Sequence, residues 1–331
     1  MPPAPLARAV DAALEASVVL SFSRVGHAVR SRLEGWDDPH HLNGTGRRVL
    51  VTGANSGLGY ATARRLLSLG AEVLLTVRDH AKGEDTLARL STELGSQVAA
   101  RASYDLLDLD DLASVRRFAA DRRAEDLAID ALVHNAGAMF ATRQVTVDGL
   151  ERTYQVHVVA PLLLTALLLP ALSASAPSRV ITVTSGGMYA QRLDTERVDS
   201  PDGYRPSVAY ARAKRAQVAL TEQWAHRFGH TGIGFFAAHP GWALTPGVEA
   251  SLPGFRRLTG PILRDPDQGA DTVVQLALAD GLDEHTGRLW HDRRPRSQHK
   301  VPWTVSAPDE ADRLWARVCR DAEVTPSLPA R

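Results

Sequence analysis

Tyr210 and Lys214, in Tyr210-Ala-Arg-Ala-Lys214, are spaced to carry acid–base chemistry together. Residues i and i+4 lie on one face of a helix. A free phenol titrates near ~10, so it moves protons at neutral pH only where positive charge stabilises its phenolate. An ammonium four residues on supplies such a charge. The pair alone is a weak signal, because surface helices generate it by chance. Here it follows Val183-Thr184-Ser185, a hydroxyl-ended apolar run, and precedes the turn His239-Pro240-Gly241.

A second motif suits a different task. Val49-Leu50-Val51-Thr52-Gly53-Ala54-Asn55-Ser56-Gly57-Leu58-Gly59 reads as a strand, a turn with three glycines and the start of a helix. Glycines let the backbone turn sharply and approach a pyrophosphate, while the helix N-terminus stabilises the anion. The spacing is Gly-x-x-x-Gly-x-Gly rather than Gly-x-Gly-x-x-Gly. At the end of the next apolar run stands Arg78, whose guanidinium can pair with a phosphate. Asp79 competes for that position, but one residue later it is suited to capping the next helix.

Taken in order, Thr52-Gly53-x3-Gly57-x-Gly59, Asn135-Ala136-Gly137 and Tyr210-x3-Lys214 resemble the short-chain dehydrogenase/reductase superfamily, over about Arg47 to Asp292. The resemblance implies an NAD(P)(H)-binding oxidoreductase, and Arg78 then selects NADP(H) over NAD(H), because a 2′-phosphate needs a cation. Thr52, Gly53, Asn55, Ser56, Gly57, Leu58 and Gly59 match the family's pyrophosphate turn. Asp105 and Leu106 match its adenine side, and Asn135, Ala136 and Gly137 its central strand end. Pro240 and Gly241 match the turn that approaches the nicotinamide, with Thr245 on the carboxamide. Ser185 matches the serine that polarises the substrate oxygen; the adjacent Thr184 is the alternative. His239 is expected to have no proton-transfer role. One departure stands out: relatives place an asparagine holding a proton-relay water where this chain has His157. The expected catalytic set is Ser185, Tyr210, Lys214 and His157, acting on a small apolar carbonyl or alcohol. A cofactor-binding scaffold or sensor without turnover is the competing reading.

These residues need a frame. Apolar, β-branched runs near 48–52, 72–77, 97–103, 129–134, 178–184, 233–238 and 288–291 alternate with helical patterns starting near Gly57, Ala81, Leu109, Gly149, Ser207 and Asp267. Such alternation predicts an α/β, doubly wound Rossmann sheet of seven parallel strands, in the order 3-2-1-4-5-6-7 the resemblance implies. Residues 1–46 form an extension and linker whose Leu6, Val10, Leu14, Val18, Phe22, Val25, Val29, Leu33 and Trp36 recur at helical spacing. It either packs on the domain 47–292 or touches a membrane surface through residues 5–36. Residues 293–331 form a C-terminal extension with a short helix. Leu252, Pro253, Phe255 and Leu258 suggest an apolar lid. Pro161–Leu169 offers apolar surface for a homodimer, though an all-round apolar helix can equally be buried.

Composition narrows the partners. The chain has 38 basic and 38 acidic residues, so no net field draws nucleic acid. One cysteine excludes an internal disulfide and a cysteine metal cluster, and no His-Glu-x-x-His points to a metal. No Gly-x-Ser-x-Gly or Gly-x4-Gly-Lys is present, against a hydrolase elbow or a P-loop. Asp11 and Glu15 interrupt any secretory pattern, so a cytoplasmic protein, either free or peripheral at a membrane, is expected.

Overall fold

The computed structural model describes residues 4–36, 42–244, 257 and 259–328. Strands β1 Arg48–Thr52, β2 Glu72–Val77, β3 Ala102–Leu106, β4 Ala131–His134, β5 Ser178–Val183, β6 Ile233–Ala238, β7 Leu289–His291 and β8 Arg294–Arg296 form one sheet ordered β3-β2-β1-β4-β5-β6-β7-β8. The expected seven-stranded parallel arrangement is present, with β8 added antiparallel to β7. Asp292 and Arg293 make that hairpin in the left-handed region, at φ 49° and 55°, the geometry a two-residue turn requires. Pro295 is tolerated because β8 is an edge strand.

The central strands are buried, as parallel strands covered on both faces must be. Val49, Val51 and Val133 pack with Leu66, Leu67 and Leu276 of helices α4 Gly57–Ser68 and Pro266–Leu278. On the opposite face Leu132, Val180 and Phe235 meet Leu163, Leu168 and Trp224.

The third strand falls later than expected from 97–103. Helix α5 His80–Leu94 ends at Gly95, with φ 84°, and Ser96–Ala99 winds one more helical turn, α6. Pairing with β2 begins only at Val73↔Ala102 and ends at Val77↔Leu106. The apolar run Val98-Ala99-Ala100 fits either structure, and the glycine decides for the helix. Asp79 accepts from the Lys82 N–H at 2.9 Å and caps α5. Helix α7 Leu112–Ala124 is capped by Asp111 and thus starts after the expected Leu109.

The helix over 152–174 is composite: α8 Arg152–Tyr154, a π-helical turn Gln155–Val159 and α9 Ala160–Ala174. It is long and apolar enough to cross a membrane, yet 83% of its most apolar window is buried inside the fold. Leu162, Leu163, Leu164, Leu168 and Leu169 are spent on the core rather than on a subunit contact.

The N-terminal extension is three helices, α1 Ala4–Ala16, α2 Val18–Phe22 and α3 Arg24–Glu34, broken at Ser17 and Ser23. Ser17 caps α2 through the Leu20 N–H, and Ser23 is extended. Charge locks them to the sheet. Arg30 has no exposed surface and binds Asp11 at 2.7 Å and Asp292, in the β7–β8 turn, at 2.6 Å. Arg264 binds the other oxygen of Asp292 at 2.6 Å. Burial would raise the Asp292 carboxyl, but His291, Arg264 and Arg30 outweigh it and hold the group well below the carboxylate range. Leu6, Val18, Val19, Leu20 and Val25 stay exposed on the outer side.

A buried carboxylate between two guanidiniums is costly to break, because the cations lose their partner without regaining water. Asp292→Asn is therefore expected to lower unfolding stability by about 3–5 kcal/mol in urea melts. Asp271→Asn, which breaks a part-exposed pair with Arg293, should cost under about 1 kcal/mol. Equal losses would remove the network's special role.

Candidate active site

The order of the sheet reverses between β1 and β4, and the carboxyl ends of these strands are stitched together. Thr52 Oγ1 accepts from the Asn135 and Ala136 N–H groups, both at 3.0 Å, and donates to the Val133 carbonyl at 3.2 Å. Asn135 Nδ2 donates to the carbonyls of Thr52, at 2.9 Å, and Gly53, at 3.2 Å. Gly53, at φ 64°, must lack a side chain: a Cβ there would lie 2.8 Å from the Ala136 Cα. A Cβ on Gly59 would lie 2.3 Å from Asn135 Nδ2. Thr52 and Gly59 thus serve behind the turn, whereas Gly53, Asn55, Ser56, Gly57 and Leu58 face a cleft of 570 Å³. Ser56 leads into α4 without a side-chain cap, leaving the first-turn N–H groups for a ligand.

Arg78, at the end of β2, is exposed on the same cleft and makes no hydrogen bond or ion pair among the described residues. Asp79 is taken by Lys82, at 2.7 Å. The expectation for Asp105 and Leu106 is corrected: neither lines the cleft. Asp105 sits within β3, bonds the Leu106 N–H at 2.7 Å and pairs with Arg122 at 3.0 Å. Because the strand starts later, Leu107, Asp108, Leu109 and Asp110 occupy its mouth instead. Asp108 accepts from the Asp110 N–H at 3.0 Å. The repeated acid–leucine pattern of Asp105–Leu109 carried that signal, but the strand end had to be known to read it.

The acid–base groups meet on the other side of β4, where Asn135, Ala136 and Gly137 also line the cleft. Helix α10, Pro206–Phe228, carries Tyr210 and Lys214 across the end of β5. Tyr210 and Ser185 face the same cleft, and Ser185 Oγ accepts from the Gly187 N–H at 3.4 Å. Thr184 is committed elsewhere, donating to the Lys214 carbonyl at 2.9 Å. Lys214 Nζ donates to the Val183 carbonyl at 2.8 Å and lies 5.4 Å from the Tyr210 ring centre. Burial pushes the Tyr210 phenol up to about 12, against a smaller lowering influence of the Ser185 side chain. Burial also brings the Lys214 ammonium down to about 7.

His157 does not line the cleft. The π-helical turn sets its ring edge-on to Tyr210, with centres 5.3 Å apart. It fills the space beside Gly137, where a Cβ would be 2.3 Å from its Cε1. Nε2 lies 2.8 Å from the Ala138 carbonyl, which only accepts, so the proton is on Nε2 and Nδ1 is a buried acceptor with no protein partner. Burial, then the Lys214 charge, lowers its pKa to about 3, so it stays neutral.

Pro240, Gly241, Trp242 and Ala243 form the wall beyond Ser185, and Met139, Phe140 and Val156 the apolar rim; of these the sequence motifs pointed only to the turn. His239 is buried and neutral, its pKa lowered chiefly by burial. Its Nδ1 accepts from the Gly241 N–H at 2.7 Å, a structural role. Thr245 and the suggested lid residues lie outside the described residues. No metal-binding group of His, Cys, Asp or Glu occurs among the described residues.

The model of the short chain dehydrogenase family matches residues 47–253. The chain belongs to that family. The chain is 40% identical to the Homo sapiens protein named dehydrogenase/reductase SDR family member 12, over 83% of this chain and 87% of that one. It is 35% identical to Homo sapiens retinol dehydrogenase 12, over 83% and 85%. Among solved structures, the Pseudomonas aeruginosa RhlG/NADP active-site complex superposes with a TM-score of 0.62 at 25% identity, covering 76% of this chain and 96% of that one. Membership makes the chain an oxidoreductase of the kind that uses NAD(P)(H) on small carbonyl or alcohol substrates.

Burial of Lys214 has a measurable consequence. The native state releases this proton near pH 7, whereas an ordinary lysine holds it to 10.5. In between, the unfolded chain binds more protons, so stability rises with pH by up to about 1.4 kcal/mol per unit. Lys214→Met is expected to abolish that rise, and urea melts from about pH 7.5 to about pH 9 read it as a growing wild-type-minus-variant difference. A flat difference would mean that Lys214 remains charged when folded.

Proposed function

We propose that the chain is an NADP(H)-dependent oxidoreductase interconverting an apolar carbonyl and its alcohol, with Tyr210 as the acid and base. The observation that carries the reading is the convergence of Ser185, Tyr210 and Lys214 on one cleft, with Lys214 Nζ 5.4 Å from the Tyr210 ring centre. The residues present fit the cofactor. Gly53 to Leu58 line the cleft at a helix start that no side chain caps, and Arg78 offers an uncommitted guanidinium for a 2′-phosphate. The NADP named with RhlG supports the same choice.

When bound, the nicotinamide supplies or accepts the hydride. Ser185 and Tyr210 would hold the substrate oxygen, and in reduction the Tyr210 O–H passes its proton to the forming alkoxide. Lys214, when protonated, stabilises the phenolate left behind. In oxidation the phenolate takes the proton back. His157 keeps Tyr210 and the Ala138 backbone in place rather than titrating. Leu109, Met139, Phe140, Val156 and Trp242 favour an apolar substrate body, consistent with the retinol in a relative's name. The scaffold reading draws on the same pocket: a phenol raised to about 12 and a histidine bound to backbone slow proton transfer.

Two measurements decide. NADPH consumption with a panel of apolar aldehydes and ketones should fall by about 10²–10⁴-fold in Tyr210→Phe, with NADPH binding retained. Tight NADPH binding without turnover above that of the variant would favour the scaffold. Arg78→Ala should weaken NADPH by about 10–100-fold, the worth of a charged phosphate contact, and NADH by less than about threefold. Equal loss of both would sink the phosphate assignment.

A further inference from the structure

Phe22, at the end of α2, is 2% exposed although the helix carrying it lies outside the sheet. Its ring centre is 4.3 Å from that of His239 and 6.0 Å, edge-on, from that of Trp242. Its carbonyl accepts from the Trp242 N–H at 2.7 Å. A Cβ on Gly186, the residue after Ser185, would come within 3.4 Å of the Phe22 ring and 2.8 Å of His239 Nε2. One ring therefore stands behind two turns that wall the cleft, Ser185–Gly187 and Pro240–Trp242.

The backbone around it is held at three successive carbonyls. Ser21 O accepts from Arg264 at 2.8 Å and from Arg30 at 3.3 Å, Phe22 O from Trp242, and Ser23 O from Arg264 at 3.2 Å. Both arginines are anchored on Asp292. Among the described residues no hydrogen bond, ion pair or ring contact joins the extension to Gly53–Leu58, Arg78 or Leu107–Asp110. Among the described residues, the extension's hydrogen bonds and ring contacts reach the Pro240–Trp242 end of the cleft.

We infer that Phe22 is a positioning residue for the nicotinamide half of the cofactor site, acting through His239 and the Pro240–Trp242 turn and leaving the adenine half untouched. This rests on the cofactor reading above, in which that turn receives the nicotinamide. Removing the ring opens space behind His239, and both turns lose the surface that sets their distance from Tyr210. Displacements of that kind are costly in rate even when the chemistry-bearing groups are intact.

The test compares two probes on the full chain: NADPH, and adenosine 2′,5′-bisphosphate, which has the adenine and 2′-phosphate but no nicotinamide. In Phe22→Ala, NADPH affinity should fall severalfold and kcat by roughly 10–100-fold, while the bisphosphate binds as to wild type. Phe22→Leu, which retains apolar volume without the flat ring, should restore part of both. Wild-type NADPH affinity and kcat in Phe22→Ala, or a matching loss of both probes, would overturn the inference. Should Phe22→Ala not fold, Phe22→Leu at wild-type melting temperature carries the comparison: the same split supports the role, and unsplit binding overturns it. Failure of the cofactor reading registers separately, as absence of NADPH binding by the wild-type chain, and would take this inference with it.

Discussion

Everything the cleft does depends on how closely the ends of β1 and β4 approach. In a doubly wound sheet the crevice opens where the strand order reverses, and here that reversal is fixed by Thr52 and Asn135 rather than by strand pairing alone. The stitch brings the Ala136 backbone so near Gly53 that no side chain fits between them. It also sets Asn135–Gly137 on the floor of the crevice, with the glycine turn on one side and Ser185 and Tyr210 on the other. A polar lock buried at this point is satisfied internally: one hydroxyl serves two N–H donors and one carbonyl, and one side-chain amide two carbonyls. Such closed networks rigidify because an opened member would be left unpaired in a poorly solvated interior.

From that geometry follows an electrostatic state in which burial suppresses charge beside Tyr210. The phenol is driven up, the ammonium down and the His157 imidazole well below neutrality, each mainly by desolvation. The three effects have opposite signs in pKa but one cause, the penalty on the charged form. A single charge introduced into such surroundings is screened weakly, so it acts on its neighbours more strongly than in water. This explains why the site can rely on one lysine. The other two, Lys82 and Lys300, are bound to Asp79 and Glu15 far from Tyr210 in sequence.

What could be read in advance was what depends on local chemistry. The glycine turn, the Tyr210–Lys214 spacing and the strand alternation each follow from short-range rules, and the seven-strand order from a family resemblance. The misplaced pieces were decided by longer-range competition. In sequence Asp105 reads as a cleft residue because Val98–Ala100 is equally apolar in a strand or a helix, and only Gly95 and the register with β2 separate the two. β8 is three residues long and contains a proline, too little pattern to announce a strand. The helical spacing through residues 6–36 marked helix correctly, but it could not show breaks at Ser17 and Ser23, because the apolar positions keep their period across them.

Arg30 and Phe22 were legible as residues and not as roles. On an amphipathic helix an arginine is ordinarily solvated and a phenylalanine ordinarily faces whatever core is nearest. Arg30 is instead fully buried because three carboxylates, those of Asp11, Glu15 and Asp292, come to it from two ends of the chain. Burying that guanidinium is tolerable only with those partners present, so the first helices, the β7–β8 turn and Arg264 hold their shape together or not at all. The contact crosses 262 residues of sequence, which no local pattern encodes. It also accounts for the placement of Phe22. With Ser21 and Ser23 fixed through their carbonyls by the same arginines, the ring between them packs inward, against His239 and the turn that closes the cleft.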